Sequence, residues 1–440
     1  MHSNKFRKEK QKMNKNRIKL LTALLLLLSG ISSFAQKITI QEAAEMAVKN
    51  NKDIKVGMLE VEQGQIDVDR SWKKKFFTVS YNASANAHFK DILTKNVLTK
   101  TGESYQHYVS LSQPIYTGGK LKLGNEISKD NLKLAELKLD KTKKDTILST
   151  VQAYIDVYDA ISTLGVLQKS KEALDENYKI QTEKYNLRMV TKPEYREAER
   201  GVKDMEAQIV QQQGNIEIAK ESLGILIGIP DSKNIEIVPF GVEDNFTKTV
   251  DLKQDLEKLK TLNTEYKIAQ KQIDITKKNV KLEKASFMPT INGTINYGAL
   301  NAKNKPKKLF ETKEFTSVAG VTFSWDIFDW GRRKDNVKYA EKTQEISEVK
   351  SEQTLDLVKA NMRKTYYQLQ ALEKSLEALK VAVEKAEETY ELEKERYKYN
   401  LITMNNLLDA EAKLRLSRVN YANSKLKYYY LVSQYGAFLD

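Results

Sequence analysis

Leu111-Ser112-Gln113-Pro114-Ile115-Tyr116-Thr117-Gly118-Gly119-Lys120 decides the reading of this chain. It returns 212 residues later as Phe323-Ser324-Trp325-Asp326-Ile327-Phe328-Asp329-Trp330-Gly331-Arg332. Upstream of each copy the residues alternate with a period of two. Downstream the period becomes helical, so each stretch marks a strand-to-helix junction. The same offset pairs Asn51 with Asn263, Tyr154 with Tyr366, Tyr178 with Tyr390, Tyr185 with Tyr397, Thr191 with Thr403 and Gly224 with Gly436. One ungapped offset from end to end means two tandem copies of a single unit, 36–228 and 251–440. A linker, 229–250, joins them; it follows Gly228 and holds Pro230 and Gly241.

Each copy carries one order: helix, strand, loop, strand, and a long helical hairpin. In the first copy, 40–75 reads as polar helix. Val79, Tyr81, Ala83 and Ala85 then alternate with Ser80, Asn82, Ser84 and Asn86, and after a polar loop (90–104) Tyr105, His107, Val109 and Leu111 alternate likewise. Apolar residues on one side and Ser/Asn on the other mark a half-buried strand. The expected strands are about 77–89 and 105–117, and in the second copy about 287–300 and 314–328. Beyond Gly119, Ile147, Val151, Tyr154, Tyr158 and Ile161 step 4-3-4-3, as a coiled-coil seam does. Leu369 to Tyr390 repeat the seam in the second copy, and these side chains are read as helix packing. Residues 120–188 hold no proline, and a helix of that length rises roughly 100 Å. The hairpins are expected over 120–227 and 332–439, the first turning near Val190-Thr191-Lys192-Pro193.

Composition narrows the function. The 440 residues hold 73 Lys+Arg, 59 Asp+Glu, no cysteine and 6 prolines, a net charge of +14. Such a charge suggests an acidic partner, nucleic acid included, but eight of the positives and one negative (Glu9) fall within residues 1–35. There a basic segment precedes the apolar run Leu20 to Leu28, and Ser33-Phe34-Ala35 follows, the layout of a secretory signal peptide cleaved before Gln36. Met13 would open the same pattern. From 36 onward 65 basic residues face 58 acidic ones, a balance of +7, and no nucleic-acid partner is expected. Without cysteine there is no disulfide framework, thiolate metal site or lipid attachment at a thiol. No later segment reaches 18 consecutive apolar residues, so a membrane crossing would have to use strands.

Four strands cannot close a barrel, and a membrane sheet cannot leave edges in hydrocarbon. Two chains would give eight strands and a filled lumen; three would give twelve and an open bore. Ser80, Asn82, Ser84, Thr322 and Ser324 would then face water and aromatic residues lipid, with Trp325, Phe328 and Trp330 as an interfacial belt. A soluble β-sandwich edge between coiled coils is the alternative.

The junction stretches Leu111–Lys120 and Phe323–Arg332, together with the tandem repeat and the helix-tip stretch Tyr397 to Ala410, resemble the TolC-like outer-membrane efflux proteins, whose junction pattern reads LSQPLFDGG[KR]. The resemblance spans essentially 37–440. It implies an α+β membrane protein, a homotrimer with a 12-stranded β-barrel in outer-membrane lipid and a long α-helical coiled-coil barrel in the periplasm. It further implies docking on a periplasmic adaptor (membrane fusion) protein and an inner-membrane pump of RND or ABC type, and a passive exit duct for small molecules or protein. A secreted coiled-coil structural or adhesive protein is the competing class.

In that family acidic rings and polar links at the helix tips narrow the periplasmic mouth. Tyr397, Asn400, Thr403, Asn406, Asp409 and Ala410 match the family's tip pattern, with Asn406 in place of one carboxylate. Glu194 and Glu197 stand at the equivalent first-copy positions. Spacing of three puts each pair on one helix face, and threefold symmetry would make rings that favour cations. Glu194 and Glu197 also read as ordinary first-turn acids after Pro193. Asn400 stands where the family has glycine and tolerates the left-handed turn; Arg188, its counterpart, tolerates it less. Ile402 stands where the best-known member has a latch arginine, so the closing link must differ here. Tyr185 and Tyr397 are candidate latch donors or simply the ends of the seam. No enzyme or cofactor is expected: the histidines His2, His88 and His107 are too scattered for a metal site, and no phosphate loop or nucleophile pattern occurs. Lys303-Asn304-Lys305-Pro306-Lys307-Lys308 reads as an outer loop near anionic headgroups or an ordinary solvated loop.

Overall fold

The structure is a computed structural model that describes residues 36–439 apart from 93–96, 231, 242–244 and 304–314. The export segment and most of the lysine loop lie outside the described residues. Elements run β1 (Gln36–Ile38), α1 (Ile40–Asn50), α2 (Lys52–Lys73), β2 (Thr78–Ile92), β3 (Val97–Tyr116), α3 (Lys120–Asn186), α4 (Lys192–Ile227) and β4 (Ile235–Ile237). The second half gives α5 (Leu252–Leu262), α6 (Thr264–Lys284), β5 (Thr290–Lys303), β6 (Thr316–Ser324), α7 (Arg332–Lys398) and α8 (Met404–Ala437). Starts at 40 and 252, 52 and 264, 78 and 290, 120 and 332, 192 and 404 each differ by 212. Both α3 and α7 are 67 residues long.

Local chemistry sets these boundaries. Thr39 caps α1: its hydroxyl accepts the Glu42 N–H at 3.2 Å while the Glu42 carboxylate accepts the Thr39 N–H at 2.8 Å, a reciprocal capping box. What reads as one polar helix over 40–75 is two, broken at Asn51, whose backbone turns extended. Asn263 makes the same break in the second copy, and its side chain accepts the Tyr266 N–H at 3.1 Å to start α6. Asp251 caps α5 through the N–H groups of Lys253 and Gln254.

Contacts divide the chain into two units. One holds Lys52–Asp145, Asn245–Gln370 and Leu431–Asp440. It contains a four-stranded antiparallel sheet in the order β2-β3-β5-β6. β2 ends three residues later than the sequence reading and β5 is displaced by three, while the larger differences fall in β3 and β6. β3 begins at Val97, so most of the expected polar loop belongs to the ladder, with Phe89 to Ile92 paired against Lys100 to Val97. β6 stops at Ser324, four residues short of expectation. There the Trp325 indole N–H donates to the Phe287 carbonyl at 3.0 Å, Trp330 takes the left-handed conformation (φ 59), and Asp329 accepts the backbone N–H groups of Gly331 and Arg333 to start α7.

The other unit holds Met1–Asn51, Thr146–Asp244 and Ala371–Tyr430. Its core gathers Ile38, Ile40, Ala43 and Ala47 with Val151, Tyr154, Leu223, Ile227, Ile235 and Leu426. β1 and β4 pair in parallel within it, a contact absent from the sequence reading. Tyr154 is more than seam packing. Its hydroxyl lies 2.8 Å from the Ile38 carbonyl and accepts the Val238 N–H at 2.9 Å, so it ties β1 to the stretch after β4. Among the described residues no helix is long and apolar enough to cross a membrane, and no cluster of metal-ligating side chains occurs.

Candidate functional site

The sheet sorts its residues by face. Register places Val79 opposite Leu111 and Tyr81 opposite Val109, then Leu111 opposite Ile295, Val109 opposite Tyr297, and Ile291 opposite Phe323. The pleat puts all of these on one side. The other side carries Ser80 opposite Ser110, Ser110 opposite Asn296, Ser112 opposite Thr294, and Asn292 opposite Thr322. Asn292 donates to the Ser112 hydroxyl at 2.9 Å across that polar side. Val79, Tyr81, Ile295, Tyr297, Val321 and Phe323 are all exposed on the apolar side of the isolated chain. Gly298 permits the closest strand approach, since a Cβ there would stand 2.3 Å from the His107 carbonyl oxygen. Among the described residues both outer strands, β2 and β6, keep one unpaired edge.

In the other unit the hairpin tips of the two copies pack together. Each long helix ends in the same turn. Arg188 (φ 57) and Asn400 (φ 56) are left-handed, and the N–H groups of Met189 and Leu401 return to the carbonyls of Lys184 (2.8 Å) and Arg396 (2.9 Å). Ala198 of the first copy joins Tyr390, Tyr397, Met404, Leu407, Ala410 and Leu414 of the second in one buried cluster, with Ile402 packed against it. Polar links cross from copy to copy around this cluster. Gln181 donates to the Tyr397 hydroxyl, Lys184 donates to the Asn400 side chain at 2.9 Å, Lys394 meets Glu176 at 3.1 Å, and Ser170 donates to the buried Glu411. Lys184 also stands 5.6 Å over the Tyr397 ring. Burial, with Glu194 adding, pushes the Tyr397 phenol up to about 12.

The six sequence candidates occupy distinct places. Glu194 accepts the N–H (2.8 Å) and hydroxyl (3.0 Å) of Thr191 and remains exposed. Asn406 mirrors it, exchanging hydrogen bonds with Thr403. Glu197 is held by Arg200, which lowers its carboxyl below the ordinary range, and exposed Asp409 meets Lys413 at 2.6 Å. Tyr185 stacks on Tyr195 at 4.9 Å, and Tyr195 meets the Tyr178 hydroxyl at 2.9 Å. Among the described residues, no hydrogen bond or ion pair joins Glu194, Glu197, Asn406 and Asp409 to one another. Gln181, Lys184 and Glu411 were not among the candidates. A signal existed for Gln181: Leu174, Tyr178, Gln181 and Tyr185 continue the 4-3-4 seam, and a polar residue in a seam marks a specific pairing. Leu187, Met189, Tyr399 and Leu401 flank the two left-handed residues at equivalent positions, and all four are exposed.

Residues 7–228 and 246–430 match the family described as outer membrane efflux protein. The chain is similar to the protein named "Probable outer membrane lipoprotein SilC" of Salmonella typhimurium, 22% identical over 84% of this chain and 78% of that protein. It is similar to outer membrane protein TolC of Salmonella enteritidis, 22% identical over 66% of this chain and 59% of TolC. Among solved structures, the Campylobacter jejuni CmeC outer membrane channel shares its fold at a TM-score of 0.77 and 20% identity, covering 91% of this chain and 85% of that one.

Proposed function

Because this chain belongs to the outer membrane efflux protein family, passive outer-membrane export ducts with their helical portion in the periplasm, we propose that three copies close one channel. Twelve strands form its barrel, four from each chain, and the long helices form a coiled-coil barrel. The observation that carries this reading is the sorting of the sheet into one mainly apolar and one mainly polar side, Tyr108 and Val318 being exceptions on the polar side, with β2 and β6 at its edges. Hydrocarbon tolerates no open edge, so β2 of one copy pairs with β6 of the next. The polar side then lines a water-filled bore and the apolar side meets lipid.

The hairpin tips form the periplasmic mouth. The Gln181–Tyr397 and Lys184–Asn400 links hold first-copy and second-copy tips together and serve as the closing link in a chain with Ile402 at the latch position. Glu194 and Asp409 supply acidic rings around the axis. The exposed apolar pairs Leu187/Met189 and Tyr399/Leu401 are the contacts offered to a periplasmic adaptor, through which an inner-membrane pump of RND or ABC type delivers cargo.

Electrophoresis and planar-bilayer recording test the reading together. The detergent-extracted protein is expected to migrate as a trimer that heat converts to monomer, and to open ion-conducting channels. Full solubility without detergent, with no conductance, would overturn it.

A further inference from the structure

We infer that the strand–helix junctions of the sheet unit form a basic collar that binds acidic phospholipid headgroups of the periplasmic leaflet. This inference rests on the barrel reading above. All four junctions lie at one end of the sheet, because Thr78 pairs with Ser112 and Thr290 with Ser324. Side-chain contacts tie the two first-copy junctions together: Gln113 donates to the Lys75 carbonyl at 2.9 Å, and Asn125 to the Ser71 hydroxyl at 2.7 Å.

Charge concentrates there. Residues 70–77, 114–124, 281–290 and 324–335 hold eleven Lys+Arg and four Asp+Glu, a balance of +7 that equals the balance of the whole chain from residue 36 on. Two acids outside those windows, Asp67 and Glu341, pair with Arg70 and Lys284, and one outside base, Lys338, pairs with Asp335, which leaves +6 in each chain. Among the described residues no ion pair engages Lys73, Lys74, Lys75, Lys122, Arg332 or Lys334. Five of these six are exposed; Lys75 is half-buried. Long Lys and Arg side chains can lay their stems along apolar surface and keep the charged heads in water, which suits headgroup depth.

Aromatic side chains fix the level of this collar. Trp72 packs edge-on against Phe76 at 4.5 Å, Phe328 against Trp330 at 5.0 Å, and Trp330 is 90% exposed. Exposed Trp beside a strand end marks the water–hydrocarbon boundary. Lys73, Lys74 and Lys75 adjoin the first aromatic group, and Arg332 and Lys334 follow the second. A basic ring at headgroup depth attracts anionic lipid by about 1 kcal/mol per cation. Charge complementarity calls for an anionic group, and the exposed aromatic side chains beside the cations commit the surface to acidic lipid in the leaflet and not to soluble phosphate.

Spin-labelled lipids test this with the full-length channel in phosphatidylcholine vesicles. The fraction of motionally restricted phosphatidylglycerol is expected to exceed that of phosphatidylcholine by about fivefold at low salt. The variant K73Q/K74Q/K75Q/R332Q/K334Q should bring that ratio close to one, whereas K303Q/K305Q/K307Q/K308Q should leave it in place. Soluble glycerophosphate is expected not to compete. Equal restriction of the two lipids by a conducting channel, or loss of preference only in the outer-loop variant, would overturn the collar while leaving the duct reading standing. A protein that neither inserts nor conducts would instead overturn the duct reading, and the collar with it.

Discussion

Arg188 and Asn400 occupy the same left-handed turn, but only asparagine has a side chain suited to it. The turn is held by its backbone hydrogen bonds and by the packed tip, so the arginine is carried at a conformational cost. Arg188→Gly is therefore expected to stabilise the hairpin by about 1 kcal/mol, read as a rise in the melting temperature of the detergent-solubilised protein. Gly118 shows the opposite case. It too is left-handed (φ 62), but a Cβ there would lie 2.5 Å from Met288 Cβ, so Gly118→Ala should lower the same melting temperature. At the equivalent second-copy position Trp330 adopts that conformation (φ 59) with its side chain in the open. Tyr397 sets a pH limit. Its phenol is 9% exposed and is raised from 10.0 to about 12, so the packed tip holds the neutral form more tightly than the unfolded chain does. That contribution is complete below pH 10 and disappears as pH rises through 12, at most about 3 kcal/mol per chain. Wild-type melting should fall across this window more steeply than that of Tyr397→Phe; parallel curves would place the phenol outside the stabilising core.

The paired tips are two hairpins joined by few polar links around a small apolar cluster. Each exposed link is worth little by itself, while the buried Gln181–Tyr397 pair leaves an unsatisfied group when one partner is removed. Gln181→Leu combined with Lys184→Ala should loosen the tips and raise single-channel conductance in planar bilayers. Conductance equal to wild type would mean that the apolar cluster alone holds them. How much of this was legible in sequence follows from periodicity. The repeated elements could be read because each side-chain pattern recurs at one offset, and Glu194, Glu197, Asn406 and Asp409 could be placed by that offset. β1 and β4 could not, since three residues carry no period and their partners are distant in sequence. The outer part of β3, including Lys100, Gly102 and Glu103, reads as loop because alternation lapses there, although the ladder continues. Gln181 stands at a seam position beyond the stretch Ile147 to Ile161, where periodicity alone marks packing and names no partner. Its amide group, not its place in the seam, is what links the two copies.

For the whole molecule, charge separates two tasks. Cations gather at the strand–helix junctions, whereas the tip acids are mostly matched by nearby bases, Glu197 by Arg200 and Asp409 by Lys413. An exposed i,i+4 pair such as Asp409–Lys413 is weak and screened by salt. In a threefold ring three aspartates would meet three lysines, so the ring's field is set by the difference between opposing charges, together with the exposed Glu194 carboxylates. This gives two variants of opposite sign. Glu194→Ala with Asp409→Ala would remove six carboxylates from the proposed trimer and should lower the cation-over-anion permeability ratio by at least about twofold at low ionic strength. Lys413→Ala leaves the Asp409 ring uncompensated and should raise that ratio. Both effects should fade in high salt, as the Debye length falls below the width of a pore. Reversal potentials measured in a salt gradient read both directly. If neither variant moves the ratio, or both move it the same way, these acids lie away from the constriction and the selectivity of the duct is set elsewhere along its wall.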